Sequence, residues 1–222
     1  MNVINDAANK SEFAYDKLEK MITFRELKPG SMVSEKQLAD SLELGRTPVR
    51  EALQRLSYER MVEIHPRRGI LIPQISLECQ LKILEVRRDI EALCARFAAD
   101  RVSPSQKSRM TALANELEAC ANKQDDLLYA DLLKEIHILL VQAANNEYLQ
   151  LAMAPLQGLS RRFWFAYKNE TNDLAEAAHL HAATLRRIVE GDPEGAVQAS
   201  HDLNDYLSKM AHATINQGAR VN

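Results

Sequence analysis

The sequence predicts a mostly α protein. An N-terminal winged helix-turn-helix with a two-stranded wing should be followed by an all-helical bundle of about six helices. Three observations carry this expectation. Val49, Ala52, Leu53 and Leu56 recur at helical spacing behind Arg46-Thr47-Pro48, marking a short amphipathic helix entered by a sharp turn. The apolar period then shortens between Met61 and Pro73, where two β-like runs flank the basic turn His65-Pro66-Arg67-Arg68-Gly69. From Leu77 onward only helical periodicity remains, interrupted at cap and breaker residues.

The totals are compatible with two modest domains. The chain has 222 residues, and 46% of them are apolar, enough to fill real cores, while aromatic residues make up only 5%. No apolar run approaches the ~18 residues of a membrane span, and Met1 to Ser11 lacks the apolar stretch of a secretion signal. A cytoplasmic protein with no membrane partner is expected. Cys79, Cys94 and Cys120 are widely spaced and read as reduced, mostly buried thiols rather than as a disulfide or zinc framework. Net charge is −3, but it is unevenly distributed: residues 46–68 hold six Arg against three Glu. A basic face on a mildly acidic chain fits a small nucleic-acid-binding domain joined to something else.

Taken in order, residues 1–10 read as a disordered N-terminus and 11–73 as the winged domain. A first helix from Ser11 to about Glu26 places Phe13, Leu18, Met21 and Ile22 inward and Lys17 and Lys20 in water. Leu27-Lys28-Pro29-Gly30-Ser31 forms a turn, and Ser34 with Gln37 makes a capping box for a second helix. On the third helix Arg46, Arg50 and Gln54 share the wet face. Thr47 is expected to cap the first turn and to bond a phosphate there, while Arg can fork onto a guanine edge or grip a phosphate. Such a helix with a wing suits double-stranded DNA.

The ordered set Leu27-Lys28-Pro29-Gly30, Ser34-Glu35, Leu38-Ala39, Arg46-Thr47-Pro48-Val49-Arg50-Glu51-Ala52-Leu53 and Pro66-x-Arg68-Gly69 resembles the successive signatures of the GntR family of bacterial transcription regulators. The resemblance implies DNA contacts from Lys36, from Gly45, Arg46, Thr47 and Arg50, and from Arg67, Arg68 and Gly69 at the wing. Three residues depart from the family pattern. Glu43 stands where the turn usually has Gly, Gly45 where Ser or Thr is usual, and Arg60 where a Gly usually precedes the wing. The docking mode should survive these departures.

Pro73–Ser76 is a short link that should couple the two parts mechanically. Helices are expected over 77–101, 104–122, 126–144, 147–168, 172–190 and 193–215, making a domain from 77 to 215 with a tail from 216 to 222. Glu85-Val86-Arg87-x-x-Ile90-Glu91, His137 with Asn146, and His181 followed by Gly191-Asp192 resemble the effector-binding FCD domain of the FadR-type branch, and six helices resemble its VanR-like subgroup. That resemblance implies an Asp and three His around a divalent metal, at positions that here read Leu133, His137, His181 and Leu203. With two of the four positions apolar, no metal cofactor is expected; if one is held, His137 and His181 are the ligands left. Asp131, His179 and His201 lie two residues away, roughly 200° round their helices, and should face the other way. The 22-residue spacing of His179 and His201 leaves a register shifted by two as the alternative.

The effector-binding candidates are Arg87, Glu91, His137, Asn146, Arg161, Arg162 and His181. Arg87 can pair with Glu91, four residues on, or fork onto a ligand carboxylate, and the two are compatible if Glu91 only orients the guanidinium. Of the adjacent Arg161 and Arg162, one should face solvent. Leu133 and Leu203 point to an aromatic or alkyl carboxylate rather than a small hydroxy acid. The expected protein is a homodimeric regulator on a palindromic operator, a repressor released by a small carboxylate effector, without catalytic activity. Its rivals are a DNA-binding dimer with no effector, and a metal-dependent helical enzyme with a regulatory DNA-binding domain.

Overall fold

In the computed structural model, residues 3–123, 125–168 and 173–218 are described. They form two compact units, residues 1–76 with 158–166, and residues 77–157 with 167–222. The order in the first unit is α1 (Val3–Thr23), β1 (Met32–Val33), α2 (Glu35–Ser41), α3 (Arg46–Tyr58), β2 (Glu63–His65) and β3 (Gly69–Leu71). Its core is built by Leu18 and Ile22 of α1, Leu38 of α2, Val49, Leu53 and Leu56 of α3, and Met61, Val62, Ile70 and Ile72 around the strands. Burying such side chains contributes about 1.5–3 kcal/mol each, which fixes how every helix is rotated.

Local chemistry sets the element boundaries. Ser34 caps α2 through the expected capping box: its Oγ accepts from Gln37 N at 3.1 Å, and its own N–H donates to Gln37 Oε1 at 2.8 Å. Helix α3 starts two residues earlier than a Thr47 cap would require. Extended Gly45 is the N-cap and supplies no side chain, so Thr47 sits inside the first turn. Helix α1 begins at Val3 rather than after a disordered decapeptide, the Ala7-Ala8 pair being favourable helix formers. Its buried face is Ala14, Tyr15, Leu18 and Ile22, whereas Phe13 is exposed and lies beneath the Lys17 ammonium. Tyr15 takes the inward place because its hydroxyl has a partner, donating to Glu59 Oε2 at 2.7 Å.

The wing is three-stranded rather than two-stranded. β3 pairs antiparallel with β2 and, on its other edge, with β1. At two residues β1 has no periodicity of its own to read; it exists because β3 offers it partners, and Gly30 and Ile72 continue the pairing through Gly30 N to Ile72 O at 2.7 Å. Gly69 has φ +116°, and a Cβ there would meet Val33 O at 2.7 Å, so no other residue fits.

The second unit contains α4 (Leu77–Arg101), α5 (Pro104–Lys123), α6 (Asp126–Ala144), α8 (Asp173–Glu190) and α9 (Pro193–Gly218). Helix α7 (Glu147–Tyr167) contributes residues 147–157 to it, while residues 158–166 belong to the first unit. α4 packs on α9, α6 and α8, and α5 on α8 and α6. The ends of α6 and α8 are defined by Asn145 in the left-handed region and by Gly191 at φ +71°. The expected joint at Thr171-Asn172 and the last four residues of the expected tail lie outside the described residues; residues up to Gly218 continue α9.

Two of the departures from the family pattern fall on strained backbone. Glu43 has φ +54° and Arg60 φ +60°, where a Cβ is unfavourable and Gly is at ease. Glu43→Gly and Arg60→Gly should each stabilise the first unit by about 0.5–1 kcal/mol. Urea unfolding of each variant tests this; an unchanged or lowered midpoint would show that the side chains offset the strain.

Candidate nucleic-acid interface and buried polar cluster

The first unit presents a cationic surface with an apolar back. Val49, Ala52, Leu53 and Leu56 are at most 2% exposed. With that stripe fixed inward, the helical period turns Arg46, Thr47 and Arg50 into solvent, where all three are found, as are Lys36, Gly45, Arg67 and Arg68. Gly69 is half-buried beneath the wing tip. Since Gly45 offers no side-chain cap, the first-turn amides of α3 point outward without a covalently attached acceptor, the arrangement that attracts a phosphate oxygen. Arg50 donates from Nε and Nη2 to the two carboxylate oxygens of Glu35 at 3.0 and 2.7 Å. Arg67 has φ +65° at the wing tip, where both Arg67 and Arg68 are exposed.

In the second unit, Arg87 and Glu91 are each 2% exposed on α4. Arg87 Nε and Nη2 donate to Glu91 at 2.8 and 3.2 Å, and Asn204 Nδ2 of α9 donates to Glu91 Oε2 at 2.9 Å. Burial alone would raise the Glu91 carboxyl, but the Arg87 charge and these hydrogen bonds prevail and hold it below the usual carboxylate range. His181 of α8 and His137 of α6 approach edge-on with ring centroids 6.0 Å apart. Burial pushes His181 down to about 4, with Glu91 resisting, so its imidazole is neutral at physiological pH. Cys94, below this group on α4, is pushed up to about 12 by burial and is an inert thiol.

The expected metal positions are filled as the sequence implied: Leu133 and Leu203 are buried, and His179 and Asp131 are exposed. A register shift by two is therefore excluded for α8, because His181 and not His179 is inside. Two imidazoles and two leucines do not make a divalent-metal donor set, and among the described residues no group of three or more His, Cys, Asp or Glu could hold an ion.

Three of the remaining candidates are engaged elsewhere. Asn146 caps α7, its Oδ1 accepting from Tyr148 N and Leu149 N at 3.0 and 3.2 Å. Arg161 and Arg162 are both buried, against the expectation that one would face water. Both lie on the part of α7 that belongs to the first unit. There Arg161 Nη2 donates to Glu19 Oε1 at 2.6 Å, and Arg162 Nη2 donates to the Pro73 carbonyl. Their partners are distant in sequence, so no local pattern announced them. Asn204 and Ser200 were missed. They stand four residues apart on the inward face of α9, which runs through Ala196, Ser200, Leu203, Asn204 and Leu207. Polar residues at that spacing inside an apolar stripe were the available signal.

Family models match two regions: "Bacterial regulatory proteins, gntR family" over residues 10–72, and "FCD domain" over residues 82–205. The probable D-xylose utilization operon transcriptional repressor of Paenarthrobacter nicotinovorans is 26% identical over 193 residues, covering 86% of this chain and 84% of that protein. The uncharacterized HTH-type regulator YdhC of Bacillus subtilis is 29% identical over 140 residues, with the match spanning 61% of each chain. Among solved structures, McbR/YncC of E. coli superposes with a TM-score of 0.77 at 19% identity, covering 93% of this chain and 98% of that one. Among the described residues, no helix is long and apolar enough to cross a membrane.

The buried imidazole makes stability pH-dependent with a defined sign. His181 has a folded value of about 4 against an ordinary 6.5, so the unfolded chain binds more protons between those limits. Its contribution should be fully present above pH 6.5 and be lost as pH falls towards 4. Urea midpoints measured across this window should slope for the wild type and flatten for His181→Phe; an identical slope would remove His181 from the buried neutral state. Glu91→Gln, which leaves Arg87 buried without its carboxylate, should cost about 3–5 kcal/mol in the same assay.

Proposed function

This chain belongs to the GntR family of bacterial regulatory proteins, as a DNA-binding transcription regulator with an FCD domain, and we propose how its two units divide that work. The observation that carries the reading is the α3 surface: a fully buried apolar back with Arg46, Thr47 and Arg50 on the exposed front. Helix α3 enters the major groove, with Arg50 facing base edges and Arg46 and Thr47 holding phosphates at the open helix N-terminus. Lys36 and the wing residues Arg67, Arg68 and Gly69 add backbone contacts on either side. One such unit covers a half-site, so the working form is a homodimer on a palindromic operator.

The second unit senses a small organic acid. Its anchor is Arg87, oriented by Glu91 and, through Glu91, by Asn204; His137 and His181 supply hydrogen-bonding edges, and Leu133 and Leu203 make the surroundings apolar. This composition favours an aromatic or alkyl carboxylate, held without a metal. Effector binding releases the operator, which requires the acid to prefer the dimer arrangement that fits DNA poorly. The relatives named above are regulators and one a repressor, which supports this direction of control.

Arg50→Ala should weaken binding to the operator by about 1–3 kcal/mol. Arg87→Ala should spare operator binding and abolish the response to acid. Fluorescence anisotropy on DNA from the protein's own upstream region, with benzoate, phenylacetate and C4–C8 alkanoates added in the presence and absence of EDTA, tests both. Release by one of these acids that persists in EDTA is the expected result. Release only by citrate- or lactate-like anions with added metal would refute the apolar, metal-free pocket.

A further inference from the structure

Among the described residues, Arg50 is alone among the cations assigned to DNA in having a carboxylate partner: Lys36, Arg46, Arg67 and Arg68 carry no ion pair. Its partner Glu35 is 15 residues away, the first residue of α2, and is itself well placed. The Ser34–Gln37 capping box fixes the start of α2, and the buried Leu38 and Ala39 fix its rotation. Arg50 in turn rides on α3 beside the buried Val49. Two rigid elements therefore bring an acid and a base together at a site where 60% of the Arg50 side chain remains exposed.

The pairing is a fork. Nε and Nη2 each donate to a different oxygen of the same carboxylate, at 3.0 and 2.7 Å. A guanidinium has five N–H groups in one plane, so this fork occupies one edge and leaves the Nη1–Nη2 edge with its donors. That second edge has the spacing of guanine O6 and N7. A flexible arginine would instead spend its charge on whichever phosphate came near, which carries no sequence information. A carboxylate at its back also cancels much of the attraction to phosphate while leaving the hydrogen-bonding edge intact.

We propose that Glu35 is a positioning and specificity-determining residue: it holds the Arg50 guanidinium flat and edge-out, so that Arg50 reads a base instead of gripping the backbone. The inference rests on the assignment of Arg50 to the recognition surface. Glu35 touches no base in this account; it acts through Arg50 and through the local charge. Removing its charge should make the protein bind DNA at least as strongly overall and discriminate worse.

The test uses the full chain and two duplexes, one selected by the wild type from a randomised library and a scrambled duplex of equal length and composition. For Glu35→Gln, the ratio of selected to scrambled affinity should fall about tenfold, the value of losing one good bidentate base contact. Affinity for the scrambled duplex should hold or rise, and the salt dependence should steepen by about one unit as Arg50 moves to a phosphate. Glu35→Asp keeps the charge but shortens the reach; it should lower the ratio without steepening the salt dependence. In an Arg50→Ala background, Glu35→Gln should change the ratio less than about twofold, since the residue it positions is gone. A Glu35→Gln ratio within about twofold of wild type would overturn the proposal, as would an equal loss in the Arg50→Ala background. An unchanged ratio for Arg50→Ala alone would go further and remove the recognition-helix assignment on which the proposal stands.

Discussion

The rotation of α3 is the constraint on which the DNA-facing side of this protein depends. Four apolar residues on one helix stripe are buried to within 2% of completely, and they pack against α1, α2 and the strands that follow. Turning the helix by one residue, about 100°, would expose part of that stripe and bury an arginine. The packing therefore decides which cations face solvent. It also decides that the first turn, capped by a glycine, stays open to an anion.

The second unit is organised by a different requirement. An arginine inside a helical bundle must be answered, and Glu91 answers Arg87 at hydrogen-bond distance while Asn204 secures Glu91 from α9. The cluster sets one cation against one carboxylate, beside a His181 imidazole that burial keeps uncharged. Leu133 and Leu203 are buried too, so the polar groups of this cluster are surrounded by apolar side chains. Arg87, Glu91 and Asn204 thereby join α4 to α9 through buried hydrogen bonds.

How much of this was legible in the sequence follows from the range of each interaction. The six long helices from Leu77 onward and the α3 stripe were legible because periodicity and cap residues are local, and the Ser34–Gln37 capping box could be read directly. The assignments that failed depend on distant partners. Phe13 was expected inside, but Tyr15 displaced it because Glu59, 44 residues away, receives its hydroxyl. One of Arg161 and Arg162 was expected in water, but both are buried, Arg161 against Glu19, 142 residues away. Strand β1 is too short to have a pattern, and its pairing is supplied by β3. Glu43 and Arg60, visible only as departures from a family pattern, acquired a physical meaning once their backbone angles were known.

The central claim is that α3 reads bases in the major groove and does more than attach to phosphates. Methylation interference at guanine N7, with the full chain on its selected duplex, tests it most directly, because the added methyl group occupies the major-groove edge and leaves the backbone unchanged. The account predicts that methylation of particular guanines, placed symmetrically in two half-sites about one helical turn apart, blocks binding. Binding that tolerates methylation at every guanine, while phosphate ethylation still blocks it, would contradict the account and leave α3 as a backbone clamp.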